Sequence, residues 1–315
     1  MRIVSLLPST TEIVAALGRK NKLVGRSHEC DFPDGISELP VCTEPKFNPD
    51  GTSYEIDQRV KALLQEGLSV YRVNQEQLKE LNPDVIITQD HCEVCAVSLD
   101  EVKKAVQSSV GDHVEVISVS PTDLSSVVRS IRTIAEAINA SEQAEKVMQQ
   151  MKSELLHIQN KTTTLNHPDI LAIEWLDPLM AAGNWVPELI QLAGGRALGA
   201  EAGKHSPWLE WKSIQKWNPD IITIIPCGYD IDQSLSELSP LTSQKGWKEL
   251  DAVRNKQVFV ADGNHFFNRP GPRLVESTRI LAEIMHPASF EKPNQNSGRW
   301  INLAKHQFHK KIQQI

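Results

Sequence analysis

One pattern occurs twice and restricts the possible folds more than anything else in this 315-residue chain. Residues 78–88 read Leu-Lys-Glu-Leu-Asn-Pro-Asp-Val-Ile-Ile-Thr, and residues 214–224 read Ile-Gln-Lys-Trp-Asn-Pro-Asp-Ile-Ile-Thr-Ile. In each, a helical stretch is halted by proline, which cannot continue a helix, and an apolar β-branched run follows at once. Runs without polar alternation belong to strands covered on both faces, as in parallel sheets with helical crossovers. A helix-then-buried-strand unit used twice predicts two α/β lobes of similar build.

Further runs extend this. Residues 2–7, 23–27, 84–89 and 114–119 predict strands of a first lobe, and residues 170–174, 220–225 and 257–261 those of a second. Helices are expected at 9–17, 186–193, 209–217 and 273–285. In between, Leu124, Val127, Val128, Ile131, Ile134, Ala135 and Ile138 recur at helical spacing, continuing through Val147, Met148, Met151, Leu155 and Ile158 with a break near Asn139. The predicted class is α/β, with two Rossmann-like lobes of parallel sheet (residues 1–121 and 161–288), a long connecting backbone helix (122–160) and a ligand cleft between the lobes. Residues 289–315 read as a basic amphipathic tail in which Trp300, Ile301, Leu303, Ala304, Phe308 and Ile312 form a loosely helical apolar face that docks on the body.

Charge and cysteine usage exclude several classes. With 33 Lys+Arg against 40 Asp+Glu, there is no basic footprint for nucleic acid. Five cysteines, odd in number and unevenly spaced, do not make a disulfide framework. The first residues lack the apolar core of a signal peptide, and no window reaches the ~18 apolar residues of a membrane span, so this reading places the chain in the cytoplasm as a monomer.

Open parallel sheets bind ligands beyond the carboxyl ends of their strands, and the loops there hold the candidate residues. The first lobe offers Ser9, then His28, Glu29 and Cys30, then Asp90, His91, Cys92 and Cys95. The second offers Trp175, Trp185, Trp208, Cys227, Tyr229, His265, Phe266 and Arg269. Aromatic side chains suit a flat apolar ligand, and Arg269 suits its amide or carboxylate substituents. Trp175 and Trp185 fit core packing equally well, and Arg269 fits a structural turn. Cys92-x-x-Cys95 is half of a metal site, a redox pair, or two small residues packed in a tight loop. His28, Cys30, Cys92, Cys95 and His265 together make a candidate set for a transition metal ion, with Glu29 and Asp31 as carboxylates to orient His28.

The order of several motifs carries a resemblance. Ser5-Leu-Leu-Pro-Ser-Thr-Thr-Glu-Ile-Val-Ala-Ala-Leu-Gly18, the Asn-Pro-Asp strands, the long helix, Leu192-Ala-Gly-Gly195, Ser206-Pro-Trp208 and Gly246-Trp247 through Arg273 are similar to the class III, helical-backbone substrate-binding proteins. Over roughly residues 1–287 the chain resembles their cobalamin-binding branch. With His28-Glu-Cys-Asp, Cys92-Glu-Val-Cys and a longer segment at 45–71, it is similar to a signal-less, cytoplasmic-looking subset of that branch. The resemblance implies a corrinoid held without catalysis between two lobes, and relatedness to ABC transporters. It also implies a permease-docking glutamate on each lobe. Glu76 fills the first position, but the second holds Lys212, and Glu210 lies about 200° around the helix from it, so docking on both lobes is not expected. An alternative is a cytoplasmic metal-ion binder, or a thiol-dependent corrinoid- or metal-handling enzyme using the CxxC loop. Neither GxGxxG, a Walker loop nor a nucleophile elbow accompanies it, so no enzyme is expected.

Overall fold

In the computed structural model the described residues are 1–66, 68–89, 99–111, 113–290 and 298–306. The chain forms two compact units, Met1–Gly51 with Glu55–Met151, and Thr52–Tyr54 with Lys152–Ile315. The expected sites Asp90, His91, Cys92 and Cys95 lie outside the described residues.

The first unit carries β1 (Ile3–Ser5), α1 (Pro8–Ala16), β2 (Leu23–Arg26), β3 (Thr43–Pro45), α2 (Ser53–Gln65, most of it here), β4 (Tyr71–Val73), α3 (Gln75–Leu81), β5 (Val85–Gln89), α4 (Leu99–Ser109), β6 (Glu115–Val119) and α5 (Leu124–Ala137). Among the described residues its main sheet has the order β2-β1-β5-β6, with parallel pairings throughout. Adjacent residues Ile3 and Val4, and again Ile86 and Ile87, are all fully buried, so helices cover both faces as the unbroken apolar runs predict. The longer segment at 45–71 places α2 between β3 and β4, which pair antiparallel.

The unit boundary falls within α6 (Ser141–Thr162). The predicted break before it is real. α5 ends at Ala137, and Asn139 takes a left-handed conformation (φ 53°) that an α-helix cannot contain.

The second unit adds β7 (Asp169–Leu176), β8 (Leu179–Ala181), α7 (Val186–Leu192), β9 (Arg196–Ala197), α8 (Trp211–Trp217), β10 (Ile221–Ile224), α9 (Ile231–Ser236), α10 (Ser239–Thr242), α11 (Asp251–Arg254), β11 (Val258–Ala261), α12 (Leu274–Met285) and β12 (Trp300–Asn302). Strands β9-β7-β10-β11 run parallel in the same order as β2-β1-β5-β6, and β8 and β12 add antiparallel edges. The repeat in sequence is thus a repeat in topology.

The Asn-Pro-Asp motif explains itself locally. Asn82 (φ 41°) and Asn218 (φ 47°) take the left-handed position that closes α3 and α8, their N–H groups donating to Leu78 O and Ile214 O. Proline then blocks continuation, and the aspartate carboxylates accept backbone N–H groups at the start of the central strands, Asp84 from Arg2 at 2.6 Å and Asp220 from Asp169 at 2.8 Å. Each motif therefore ends a helix and sets the register of a sheet in three residues.

The tail departs from expectation. Trp300–Asn302 is a strand paired with β11, where a helical face was expected. The exposed ladder of β11 offers backbone partners that a short helix could not use. The strand is fixed from its side chains too. Trp300 packs edge-on against Phe259 at 5.5 Å and donates to Glu283, while Arg299 pairs with Glu276 and Glu283. Phe308 and Ile312 lie outside the described residues.

Candidate functional site

At the carboxyl end of β1, the Pro-Ser-Thr-Thr segment turns inward. Ser9 is 3% exposed, and Ser5, Thr10 and Thr11 satisfy one another, with Thr10 and Thr11 hydroxyls 2.7 and 2.8 Å from Ser5 Oγ. Thr11 Oγ1 also lies 3.1 Å from the sulfur of Cys30, which is 1% exposed. Ser9 and Cys30, both expected at a ligand, are packed in the interior here. Small side chains allow α1 to start directly on the strand end, and that close approach buries them.

His28 follows β2. Its Nδ1 is 2.8 Å from the Thr43 hydroxyl and its ring centroid 5.0 Å from that of Tyr71. Of the two carboxylates expected to orient it, Glu29 accepts a hydrogen bond from Tyr71 Oη at 3.0 Å. Burial holds the His28 pKa below 6.5, the Thr43 hydrogen bond opposing, so the ring is neutral at pH 7. Among the described residues, no group of three or more His, Cys, Asp or Glu is gathered to hold a metal ion. Of the residues expected as metal ligands in the first unit, Cys30 faces the Thr11 hydroxyl and the His28 ring the Thr43 hydroxyl, and Cys92 and Cys95 lie outside the described residues.

The second unit concentrates its candidates. Strands β7, β10 and β11 are parallel, so the segments following them emerge on one edge of the sheet. Trp175, half-buried near the end of β7, donates from Nε1 to Asp177 O at 3.1 Å and lies 5.5 Å from the ring of Tyr229 in the loop after β10. Burial, then the charge of Glu237, pushes the Tyr229 hydroxyl up to about 12, so it stays a phenol. The same loop is tied to β7 through Cys227 N, which donates to Glu174 O at 3.0 Å. After β11 the chain makes one π-type turn, Gly263–Phe267. Asn264 N donates to Tyr229 O at 3.0 Å, joining the turn to the β10 loop.

Within this turn, Asp262 accepts twice from His265, from its backbone N at 2.8 Å and at its ring Nδ1 at 2.7 Å. Phe266 follows, with the Arg273 guanidinium 5.5 Å above its ring and its carbonyl accepting from Ser277. Trp208 is 53% exposed and bridges to Met180 of β8. Beside it Ser206 Oγ donates to Glu174 Oε1 at 2.9 Å and accepts from Gly183 N at 3.0 Å, which holds the Ser-Pro-Trp segment against the end of β7.

Two of the expected contacts, Trp185 and Arg269, are buried in the second unit. Trp185 is 7% exposed and donates from Nε1 to Phe267 O at 2.9 Å. Arg269 is 3% exposed, and its guanidinium donates to Asn264 Oδ1 at 3.0 Å. Both brace the π-type turn from behind. Asp262, Asn264 and Glu174, absent from the expected set, order this edge. An Asp three residues before a His in a loop after a strand is the sequence signal that would single out Asp262.

Glu76 is exposed in the first turn of α3, and Lys212 is exposed at the corresponding position of α8.

Residues 3–264 match the family model described as periplasmic binding protein. Among curated proteins, an uncharacterized ABC transporter substrate-binding lipoprotein, YvrC of Bacillus subtilis, is 25% identical over 300 residues, covering 92% of this chain and 82% of that protein. A vitamin B12-binding protein of Vibrio parahaemolyticus is 22% identical over 285 residues, covering 90% and 88%. Among solved structures, the periplasmic vitamin B12 binding protein BtuF of Vibrio cholerae superimposes with a TM-score of 0.65 at 20% identity, covering 92% of this chain and 98% of that one. The apo periplasmic heme-binding protein RhuT of Roseiflexus sp. RS-1 gives 0.68 at 21%, covering 92% and 99%.

These findings overturn the cytoplasmic expectation, since the relatives are described as lipoprotein or periplasmic proteins. The reason is physical. An address is carried by a segment outside the folded body, so the composition of that body does not report the compartment. Among the described residues no helix is long and apolar enough to cross a membrane.

Proposed function

The chain belongs to the periplasmic binding protein family, and from that premise we propose that it captures a corrinoid outside the cytoplasm for an ABC importer. It is a substrate-binding protein of the ABC-transporter type, a binder and not an enzyme, which removes the thiol-enzyme alternative. The ligand class rests on one observation. The end of β7 and the loops after β10 and β11 carry half-buried Trp175, its ring tilted against buried Tyr229, then His265 and Phe266, on a single edge of the second unit's sheet. Broad aromatic faces with few polar anchors suit a flat macrocycle better than a bare ion, which needs converging charged ligands. The relatives named for vitamin B12 support the same class. Trp208 is the exposed aromatic of this edge and its first contact. Glu76 is the docking residue for the permease, and Lys212 makes the second unit's contribution different in charge.

Calorimetric titration of the purified chain with cyanocobalamin, repeated with ferric heme, tests this reading. Saturable binding of cyanocobalamin is expected, and Trp208→Ala should weaken it by about thirtyfold, the roughly 2 kcal/mol lost with an aromatic anchor. Heme bound and cobalamin ignored would refute the corrinoid assignment, and no heat with either at tens of micromolar would refute macrocycle binding.

A further inference from the structure

The end of β11 is held from two sides, and the two do not reach equally far. β10 pairs with β11 up to Ile224 with Val260. On the other side the β12 ladder continues to Ala261 with Trp300, and one residue further Asp262 N donates to Arg299 O at 3.0 Å. Asp262 is the residue on which the π-type turn is built, since one carboxylate oxygen accepts from His265 N at 2.8 Å and the other lies 2.7 Å from the ring Nδ1. The backbone that carries this carboxylate is therefore placed by the tail. Residues 299–302 lie beyond residues 3–264, the part of the chain that matches the family model.

Three ladder residues at a sheet edge open easily by themselves, so the grip of β12 comes from its side chains. The Arg299 side chain, 18% exposed, pairs with Glu276 and, at 3.1 Å, with Glu283. These two carboxylates stand on α12 seven residues apart, close to two helical turns, and the guanidinium spans them. Glu283 is 5% exposed and accepts from Trp300 Nε1 at 3.1 Å as well. At the other end Asn302 Nδ2 donates to Lys256 O at 2.8 Å, just before β11. One residue, Arg299, thus joins α12 through its side chain to Asp262 through its carbonyl.

We propose that β12 is a clamp on the ligand edge, with Arg299 as the positioning residue that holds Asp262, and with it the turn bearing His265 and Phe266, in the conformation that binds. The inference rests on the macrocycle-binding reading above. Its consequence is that affinity is set in part by an ion pair on α12 and the tail, and that releasing the strand lowers affinity while the unit stays folded.

The test separates position from stability in the full chain. Arg299→Met alone leaves Glu283 buried without its counter-charge and should lower the melting temperature. Combining it with Glu283→Gln removes that charge and keeps an acceptor for Trp300, so melting should recover most of the loss while the tie to α12 stays broken. Hydrogen exchange of the unliganded chain, read by mass spectrometry, should be faster in segment 262–268 of both variants and unchanged in β10. Calorimetric titration with cyanocobalamin, and with ferric heme as the second arm, should show about tenfold weaker binding by the double variant, as when the turn holds its binding conformation a tenth of the time. Unchanged exchange in segment 262–268 of the double variant overturns the clamp, whether or not a ligand binds. Faster exchange with unchanged affinity overturns its role in binding. Heme alone bound, and bound more weakly by the double variant, keeps the clamp and overturns the corrinoid. A parent chain that binds neither probe refutes the macrocycle reading, and the exchange comparison then decides by itself whether β12 holds the turn.

Discussion

Gly263 has no room for a side chain, and the consequences of adding one can be worked through. A β-carbon there would lie 2.6 Å from the carbonyl carbon of Ile225 and 2.7 Å from its oxygen, and closer still to the Pro226 oxygen, all inside the 3.0 Å that real β-carbons respect. Each obstacle is backbone, so no rotamer change relieves it. Gly263→Ala must displace either the π-type turn or the end of β10, with loss of the Asn264 N to Tyr229 O bond. Overpacking of this kind costs about 1–3 kcal/mol, and unyielding neighbours put Gly263→Ala near 3. At about 2–4 °C per kcal/mol for a unit of this size, the melting temperature should drop by roughly 6–12 °C. Gly228→Ala is the control. Gly228 has a left-handed φ of 77° and nothing within 4 Å of its β-position, so only the conformational penalty of about 1–2 kcal/mol applies. Scanning calorimetry, with hydrogen exchange at the Asn264 amide, reads both variants. If Gly263→Ala melts no lower than Gly228→Ala and the Asn264 amide stays protected, the claim that this turn is wedged against β10 is wrong.

Two further outcomes follow from burial. His28 and His286 are both held below 6.5 by desolvation, His28 also by the nearby Arg26 and against the pull of Glu44. Below pH 6.5 the unfolded chain takes up protons that these rings refuse, so their stabilisation is complete above pH 6.5 and is lost as pH falls toward the folded values. Urea unfolding from pH 7.5 to 5 should show this decline, and His28→Asn should flatten part of it. Cys42 is fully buried with its thiol pushed up to about 12, so iodoacetamide at pH 8 should leave it unmodified in the folded chain while labelling the partly exposed Cys227. Modification of both at equal rates would contradict the burial.

The backbone plan was legible because it depends on local rules. Apolar β-branched runs become strands wherever both faces are covered, and Asn-Pro-Asp carries its own helix stop and cap, so both α/β units and the break at Asn139 could be read from residue order. Trp300–Asn302 could not, because its apolar residues fit a helix equally well and only the open ladder of β11 decided for a strand. The site was read by residue type and loop position, which brought Trp175, Tyr229, His265 and Phe266 into view together. It could not tell that Trp175, His265 and Phe266 are half-buried whereas Ser9, Cys30, Trp185, Tyr229 and Arg269 are buried. Direction is a property of tertiary packing. Whether a side chain faces the interior depends on how its turn is seated on neighbouring strands, as Gly263 against Ile225 and Pro226 shows. Nor can spacing alone show that Asp262 holds the ring of His265, since that pairing exists only because a π-type turn folds three residues back on themselves.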